Sequence, residues 1–242
     1  ILGLEYLSGS NWLFRAETYY KHFENLITLN QGEQVTEGND QVSTTPFNEF
    51  FDTRAFAYGL ELLFKKTAGK SRGWIGYTYA KTMKHIQKHG WYYPKYDRTH
   101  TVNIVGDITM PFFKNLHFNY AVQASSGQPF TPPIGRYNHF EVYHDPLGSD
   151  LYQNEQFLVG EKNADRLPIY FRLDLGLKQK KSLFGVPYER YLQLINVTNH
   201  VNPLSYQYRA KENRLTGETL GLERAAVPMF PFFFTVGYRI EL

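Results

Sequence analysis

The chain contains no cysteine. That excludes a disulfide framework and any chemistry that needs a thiolate. It also lacks an apolar run approaching the roughly 18 residues of a membrane-crossing helix. Charge of one sign is nowhere concentrated: 26 Lys and Arg and 23 Asp and Glu are spread along the chain, for a net +3. No nucleic-acid partner is expected from such a pattern. Ile1 opens directly onto strand-like sequence, without the basic stretch and apolar core of a secretory leader.

Aromatic side chains are abundant. Tyr and Phe number 19 each, and 17% of the chain is aromatic, although mean hydropathy is negative. A helical membrane protein does not combine those properties. A β-barrel does, because lipid-facing apolar residues alternate with polar residues facing the lumen. The length suits one large all-β domain.

The clearest strand is the last. Phe230, Phe232, Phe234, Val236, Tyr238, Ile240 and Leu242 alternate with Pro231, Phe233, Thr235, Gly237, Arg239 and Glu241. A period of two separates a greasy face from one that becomes charged towards the end. The run is longer than a usual soluble strand and suits a tilted membrane-spanning one.

Eight further segments of this kind precede it: Ile1–Leu7, Trp12–Leu29, Thr53–Thr67, Gly73–Lys84, Asp97–Met110, Leu116–Gln128, Arg166–Lys180 and Tyr188–Asn199. Turns rich in Gly, Ser and Asn close some connections quickly. Long stretches fill the others: Asn30–Asp52 without sustained period, His85–Tyr96, the irregular Pro129–Asp165, and His200–Met229 with a short hairpin near Ser205–Arg209. Short and long connections alternate throughout, as in an outer-membrane barrel with short periplasmic turns and long extracellular loops. A soluble β-sandwich has no reason to sort its connections so.

The predicted fold is therefore all-β, an antiparallel transmembrane β-barrel. With Leu242 at the periplasmic side, the first and ninth strands run the same way, whereas bacterial barrels close antiparallel with an even strand count. Unpaired edges in lipid are costly. Further strands, in the same or another chain, are expected to complete the wall.

Several stretches resemble the C-terminal barrel of TonB-dependent outer-membrane receptors. They are Gly59-Leu60-Glu61-Leu62, Tyr93-Pro94-Lys95-Tyr96-Asp97-Arg98-Thr99-His100, Ser126-Gly127-Gln128-Pro129-Phe130-Thr131, and Arg166-Leu167-Pro168-x-Tyr170-x-Arg172-Leu173-Asp174-Leu175. Asn196-Val197-Thr198-Asn199 and the terminal strand continue the resemblance. Thr235, Gly237, Tyr238, Ile240 and Leu242 also resemble the C-terminal signal read by the barrel assembly machinery, with Leu242 where an aromatic residue is usual.

The resemblance implies that residues 1–242 form about nine C-terminal strands of a barrel of roughly 22 strands, closed in this family by a plug domain. Neither plug nor TonB-contacting segment is present among these residues. It further implies a Gram-negative outer-membrane receptor and transporter. Such a receptor imports a metal chelate, vitamin or oligosaccharide with energy delivered through the TonB complex. A non-transporting barrel acting as an adhesin or structural subunit of a surface complex is the alternative expectation.

Candidate ligand-binding residues lie in two loops. Trp91, Tyr92, Tyr93, Tyr96 and Arg98 combine aromatic faces with a cation, which suits a sugar, an aromatic chelator or an anionic siderophore. The same residues suit an interfacial aromatic girdle, the commoner use of such a cluster. Arg136, Tyr137, His139, Glu141 and His144 form the second group. The spacing of His139, Glu141 and His144 invites a metal, but it matches no helical zinc motif, and no metal or other cofactor is assigned.

Arg15, Glu17, Glu61, Lys65, Asp107, Arg172, Asp174, Lys178, Arg239 and Glu241 fall on lumen-facing positions and are expected to pair with one another. Asn196-Val197-Thr198 has the form of a glycosylation acceptor and is set aside as lying within a strand. Ala68-Gly69-Lys70-Ser71 echoes a phosphate loop, but Phe64 stands where its first glycine belongs, so it is read as a turn. No nucleophile–base arrangement emerges, and no enzyme activity is expected.

Overall fold

In the computed structural model, residues 1–9, 11–29, 34–37, 40–43, 50–87, 89–145, 148–212 and 219–240 are described. Among them the protein is all-β with no helix, and its sheets are antiparallel apart from a single parallel contact, Tyr208 opposite Glu37. In chain order the strands are β1 (Leu2–Ser8), β2 (Trp12–Leu29), β3 (Gln34–Glu37), β4 (Asp40–Ser43), β5 (Phe50–Lys66) and β6 (Ser71–Ile86). β7 (Gly90–Tyr92), β8 (His100–Thr109), β9 (Leu116–Ser125), β10 (Pro129–Phe130), β11 (Pro133–Asp145) and β12 (Gly148–Val159) follow. The remainder are β13 (Asp165–Arg166), β14 (Tyr170–Leu183), β15 (Val186–Ile195), β16 (Pro203–Glu212), β17 (Thr219–Pro228) and β18 (Phe233–Ile240).

The main sheet is a meander in the order β1-β2-β5-β6-β8-β9-β14-β15-β18, with β7 folded back on β6. β9 passes over the β11–β12 hairpin to pair with β14, and β15 passes over β16 and β17 to pair with β18. Among the described residues no ladder joins β1 to β18, so the sheet has two open edges.

The register shows why alternation dictates this sheet. Tyr6, Phe14, Phe64, Ile75, Ile104, Val122 and Leu173 stand in one cross-strand row over seven strands. The row on the opposite face, one residue along, is Glu5, Arg15, Leu63, Gly76, Asn103, Gln123 and Arg172. A slip of one residue anywhere would exchange the two faces.

A soluble sheet would bury its apolar face under a second layer. Here Leu2, Leu4, Phe64, Ile75, Phe234 and Val236, all on that face, are exposed. Of the few buried apolar side chains among the described residues, Tyr92, Phe157 and Tyr208 lie in the long connections, and Ala55 and Ile86 on the other face of β5 and β6.

The polar face is concave. Side chains from β5 through β18, among them Lys65, Arg72, Asp107, Asp174, Lys178 and Glu189, border a concavity of about 950 Å³. The expected ionic pairing is present in part: Arg172 pairs with Asp174, while Arg15 and Asp107 take Glu5 and Arg72, residues outside the expected set. Arg15 reaches Glu5 at 2.6 Å, Arg72 reaches Asp107 at 2.9 Å, and Arg172 reaches Asp174 at 2.6 Å. Glu241 lies outside the described residues.

Short connections gather at one end of the meander: between β1 and β2, at 67–70, at 110–115 and at 184–185. They are stitched to their neighbours. Thr67 N–H donates to Asn11 O, Thr109 N–H to Lys70 O, and Lys180 N–H to Asn115 O. Phe184 and Gly185 form a two-residue hairpin loop between Leu183 and Val186, both with positive φ (51° and 83°).

The opposite end carries more structure than its sequence suggests. Pro129–Asp165 reads as irregular, yet β11 and β12 form a long hairpin, Arg136 opposite Phe157 and Tyr143 opposite Asp150. Its apolar residues fall on both strand parities, so no amphipathic period betrays it. The aperiodic Asn30–Asp52 contains β3 and β4, and His85–Tyr96 contains the end of β6 and β7. The hairpin expected near Ser205–Arg209 is present and longer, as β16 and β17.

One placement is overturned. Asn196-Val197-Thr198 is not within a strand: β15 ends at Ile195, and Asn196 and Asn199 have φ of 52° and 49°. Here asparagine side chains replace backbone partners. Asn202 Oδ1 accepts from Phe171 N–H, its Nδ2 donates to Phe171 O, and Asn199 Oδ1 accepts from Phe232 N–H. Amide side chains are well suited to turns because they satisfy the backbone where the ladder stops.

Candidate functional site

The long-connection end is organised by one buried carboxylate. The β6–β8 ladder ends at Tyr79 opposite His100, and Ala80 N–H then bonds Thr99 O. Beyond it Asp97 Oδ1 accepts from Thr82 N–H at 2.8 Å, extending the edge with a side chain. Asp97 Oδ2 meets Arg166 Nη2 at 2.6 Å, with the carboxylate almost fully enclosed. Arg166 Nη1 also donates to Gly127 O at 3.1 Å.

Gly127 is required here. A Cβ on it would lie 1.6 Å from Leu167 O. The close approach is held by Leu167 N–H donating to Gln128 O and by the short β10–β13 pairing. Three stretches distant in sequence, 93–98, 126–130 and 165–168, are thus tied into one clasp.

Aromatic rings and cations surround the clasp. The Tyr93 ring lies 4.8 Å from the Arg166 guanidinium and 5.4 Å from Lys81 Nζ. Asn163 Nδ2 donates to Tyr93 O at 2.6 Å. Lys162 Nζ stands 5.4 Å from the Tyr92 ring, and Lys84 Nζ 5.9 Å from Tyr96. Burial pushes the Tyr92 phenol up to about 12. Arg98 donates to Ser125 Oγ and lies over the Tyr170 ring.

The structure divides the first candidate group. Trp91 pairs with His85 and packs on Phe56, on the apolar face. Tyr92 pairs with Lys84 and is buried, on the polar side. Strand alternation at β7 makes that division: Trp91 joins Phe56 on the apolar face. Tyr96, 63% exposed beside Lys84, remains open to a ligand. Tyr93 and Arg98 are engaged in holding the clasp.

In the second group, the Arg136 guanidinium lies 5.2 Å from the Phe157 ring, and Tyr137 is exposed. Phe157 and Tyr208 form a small core with Phe130, Val159, Tyr206 and Leu222, which joins the β11–β12 hairpin to β16 and β17. Burial raises the Tyr208 phenol. The backbones of His139, Glu141 and His144 lie in β11; their side chains lie outside the described residues. Among the described residues no group of three His, Asp or Glu converges as a metal site.

In the terminal strand, Tyr238 and Ile240 are exposed on the apolar face. Thr235 and Gly237 face the other side, where the Tyr191 ring covers Gly237. Leu242 lies outside the described residues.

Sequence reasoning missed Lys162, Asn163 and Arg166 as members of this cluster. Arg166 stands within a quoted motif, but nothing local marks its partner. No family model, curated protein or solved structure matches the chain.

Proposed function

We propose that this chain is part of the wall of a transmembrane β-barrel in a bacterial outer membrane, of the TonB-dependent receptor type. One observation carries the reading: a largely apolar face, exposed on β1, β2, β5, β6 and β18 and half-buried on the strands between, backs a concave face lined with ion pairs. Lipid is the surrounding that satisfies the first, and a polar lumen the second. Short turns at one end and structured connections at the other support the same orientation. Further strands complete the edges at β1 and β18, since unpaired backbone groups in lipid are costly.

The receptor assignment draws on the sequence resemblance and on the convergence of three of its motifs at Asp97, Gly127 and Arg166. In this reading the long connections capture a scarce metal chelate, vitamin or oligosaccharide. A plug domain and the TonB complex then drive its import.

Two neighbouring residues test the membrane placement in the full-length protein. Ile104→Arg puts a charge on the apolar face and is expected to cost about 2–4 kcal/mol in the bilayer. It should abolish assembly into outer membranes, while Asn103→Arg on the polar face should leave it intact. The opposite pattern would show that the apolar face is not in lipid. For transport, uptake that survives loss of the inner-membrane proton-motive force would exclude TonB coupling.

A further inference from the structure

The short-turn end combines three features. First, phenylalanines stand out from the turns: Phe112 is 91% and Phe184 97% exposed, and Phe113 is exposed beside Phe112. Second, the apolar-face positions and turns at this end carry Lys66, Lys70, Lys114 and Lys181. None of these four is in an ion pair among the described residues. Third, the acids at this end among the described residues, Glu5, Asp107 and Glu189, all lie on the polar face.

Nothing in the fold asks for this arrangement. Phe184 holds a left-handed backbone that a bulky side chain rarely adopts, and its ring touches almost nothing. A turn serving only to reverse the chain would carry Asn or Gly there. Trp12 and Phe64 stack at 4.9 Å just above, with Lys66 Nζ 5.0 Å from the indole. Aromatic rings at the border of an apolar band, with lysine stems reaching past them, are placed as at a membrane interface.

We propose that the short-turn end is a binding surface for anionic lipid headgroups. Resting on the membrane reading above, it places Phe112, Phe113 and Phe184 at the headgroup level and the unpaired cations on lipid phosphates. Charge complementarity selects this occupant: the outward surface is basic without a compensating acid, and it continues the apolar face.

The test uses the full-length protein reconstituted into phosphatidylcholine bilayers, with and without phosphatidylglycerol. Lipids retained after extraction into neutral detergent are counted by native mass spectrometry. Wild type should retain phosphatidylglycerol over phosphatidylcholine, and each lysine removed should lower that preference roughly threefold to fivefold. A variant combining Lys66→Gln, Lys70→Gln, Lys114→Gln and Lys181→Gln should show no preference, and the same four changed to Arg should keep it. Raising salt should weaken it in wild type.

Insertion into both bilayers without any preference would overturn the proposal and leave the membrane reading standing. Failure to insert into either would sink both. Equal capture by soluble polyglutamate would point to an acidic protein partner and overturn the lipid assignment. If the Gln variant does not fold, the wild-type preference and its salt dependence decide.

Discussion

Asp97 and Arg166 stand 69 residues apart in the chain and meet at 2.6 Å, the carboxylate buried and the guanidinium partly so. Removing one member of an enclosed pair leaves the other desolvated and unpaired, at about 3 kcal/mol or more. Asp97→Ala also strands Thr82 N–H, which the carboxylate accepts. Asp97→Asn retains an acceptor for Thr82 and should cost less. Unfolding monitored by circular dichroism in detergent should rank Asp97→Ala below Asp97→Asn, and both below wild type. Proteolysis should concentrate between residues 129 and 166. Equal midpoints for all three would show that the pair does not hold the clasp.

Gly127 and Gly135 offer a matched pair of substitutions. A Cβ at Gly127 would collide with backbone at 1.6 Å, whereas at Gly135 the nearest atom is Leu158 Cβ at 3.8 Å. Gly127→Ala must therefore displace the 165–168 segment and should cost about 1–3 kcal/mol or more, as overpacking does. Gly135→Ala should be close to neutral. Denaturant midpoints of the two variants check the contrast. A neutral Gly127→Ala would mean that the clasp is looser than its geometry.

Nine of the ten strands of the main sheet, all but β7, were legible because each repeats a period of two and the short turns carry Gly, Asn or Ser. Trp12–Leu29 was placed to the residue. The long connections were not, because an element with no uniform face gives no period, as the β11–β12 hairpin shows. The clasp was half legible. Asp97, Gly127 and Arg166 each lie in a quoted motif, but pairing over 69 residues is a property of the fold, not of local spacing. The division of Trp91 from Tyr92 needed the register of β7. A turn of asparagines looked like strand because it prolongs the ladder through side chains.

Tyr92 makes a pH prediction. Its phenol titrates at about 12, raised from 10.0 chiefly by burial and further by Tyr96. The folded state thus holds this proton more tightly than the unfolded chain. Tyr92 contributes stability that is complete below pH 10.0 and lost as pH climbs towards 12. In a difference titration of tyrosinate absorbance, wild type minus Tyr92→Phe should isolate one late step. Stability of Tyr92→Phe should fall less over the same interval. A difference step centred at the ordinary tyrosine value would contradict the buried placement.

A substitution in the hairpin loop at Phe184 would separate folding from the proposed membrane contact. Asn tolerates the left-handed backbone that Phe184 holds at φ 51°, and with Gly185 it would complete the favoured pair for a two-residue hairpin. Phe184→Asn should therefore stabilise the fold in neutral detergent by up to about 1 kcal/mol. The side chain removed is 97% exposed, so little packing is lost with it. In anionic bilayers the same change should weaken lipid retention, because an aromatic ring leaves the interface. Unfolding midpoints in detergent and retained phosphatidylglycerol, measured on one preparation, should move in opposite directions. If both fall, Phe184 packs against protein; if neither moves, its ring has no interfacial role.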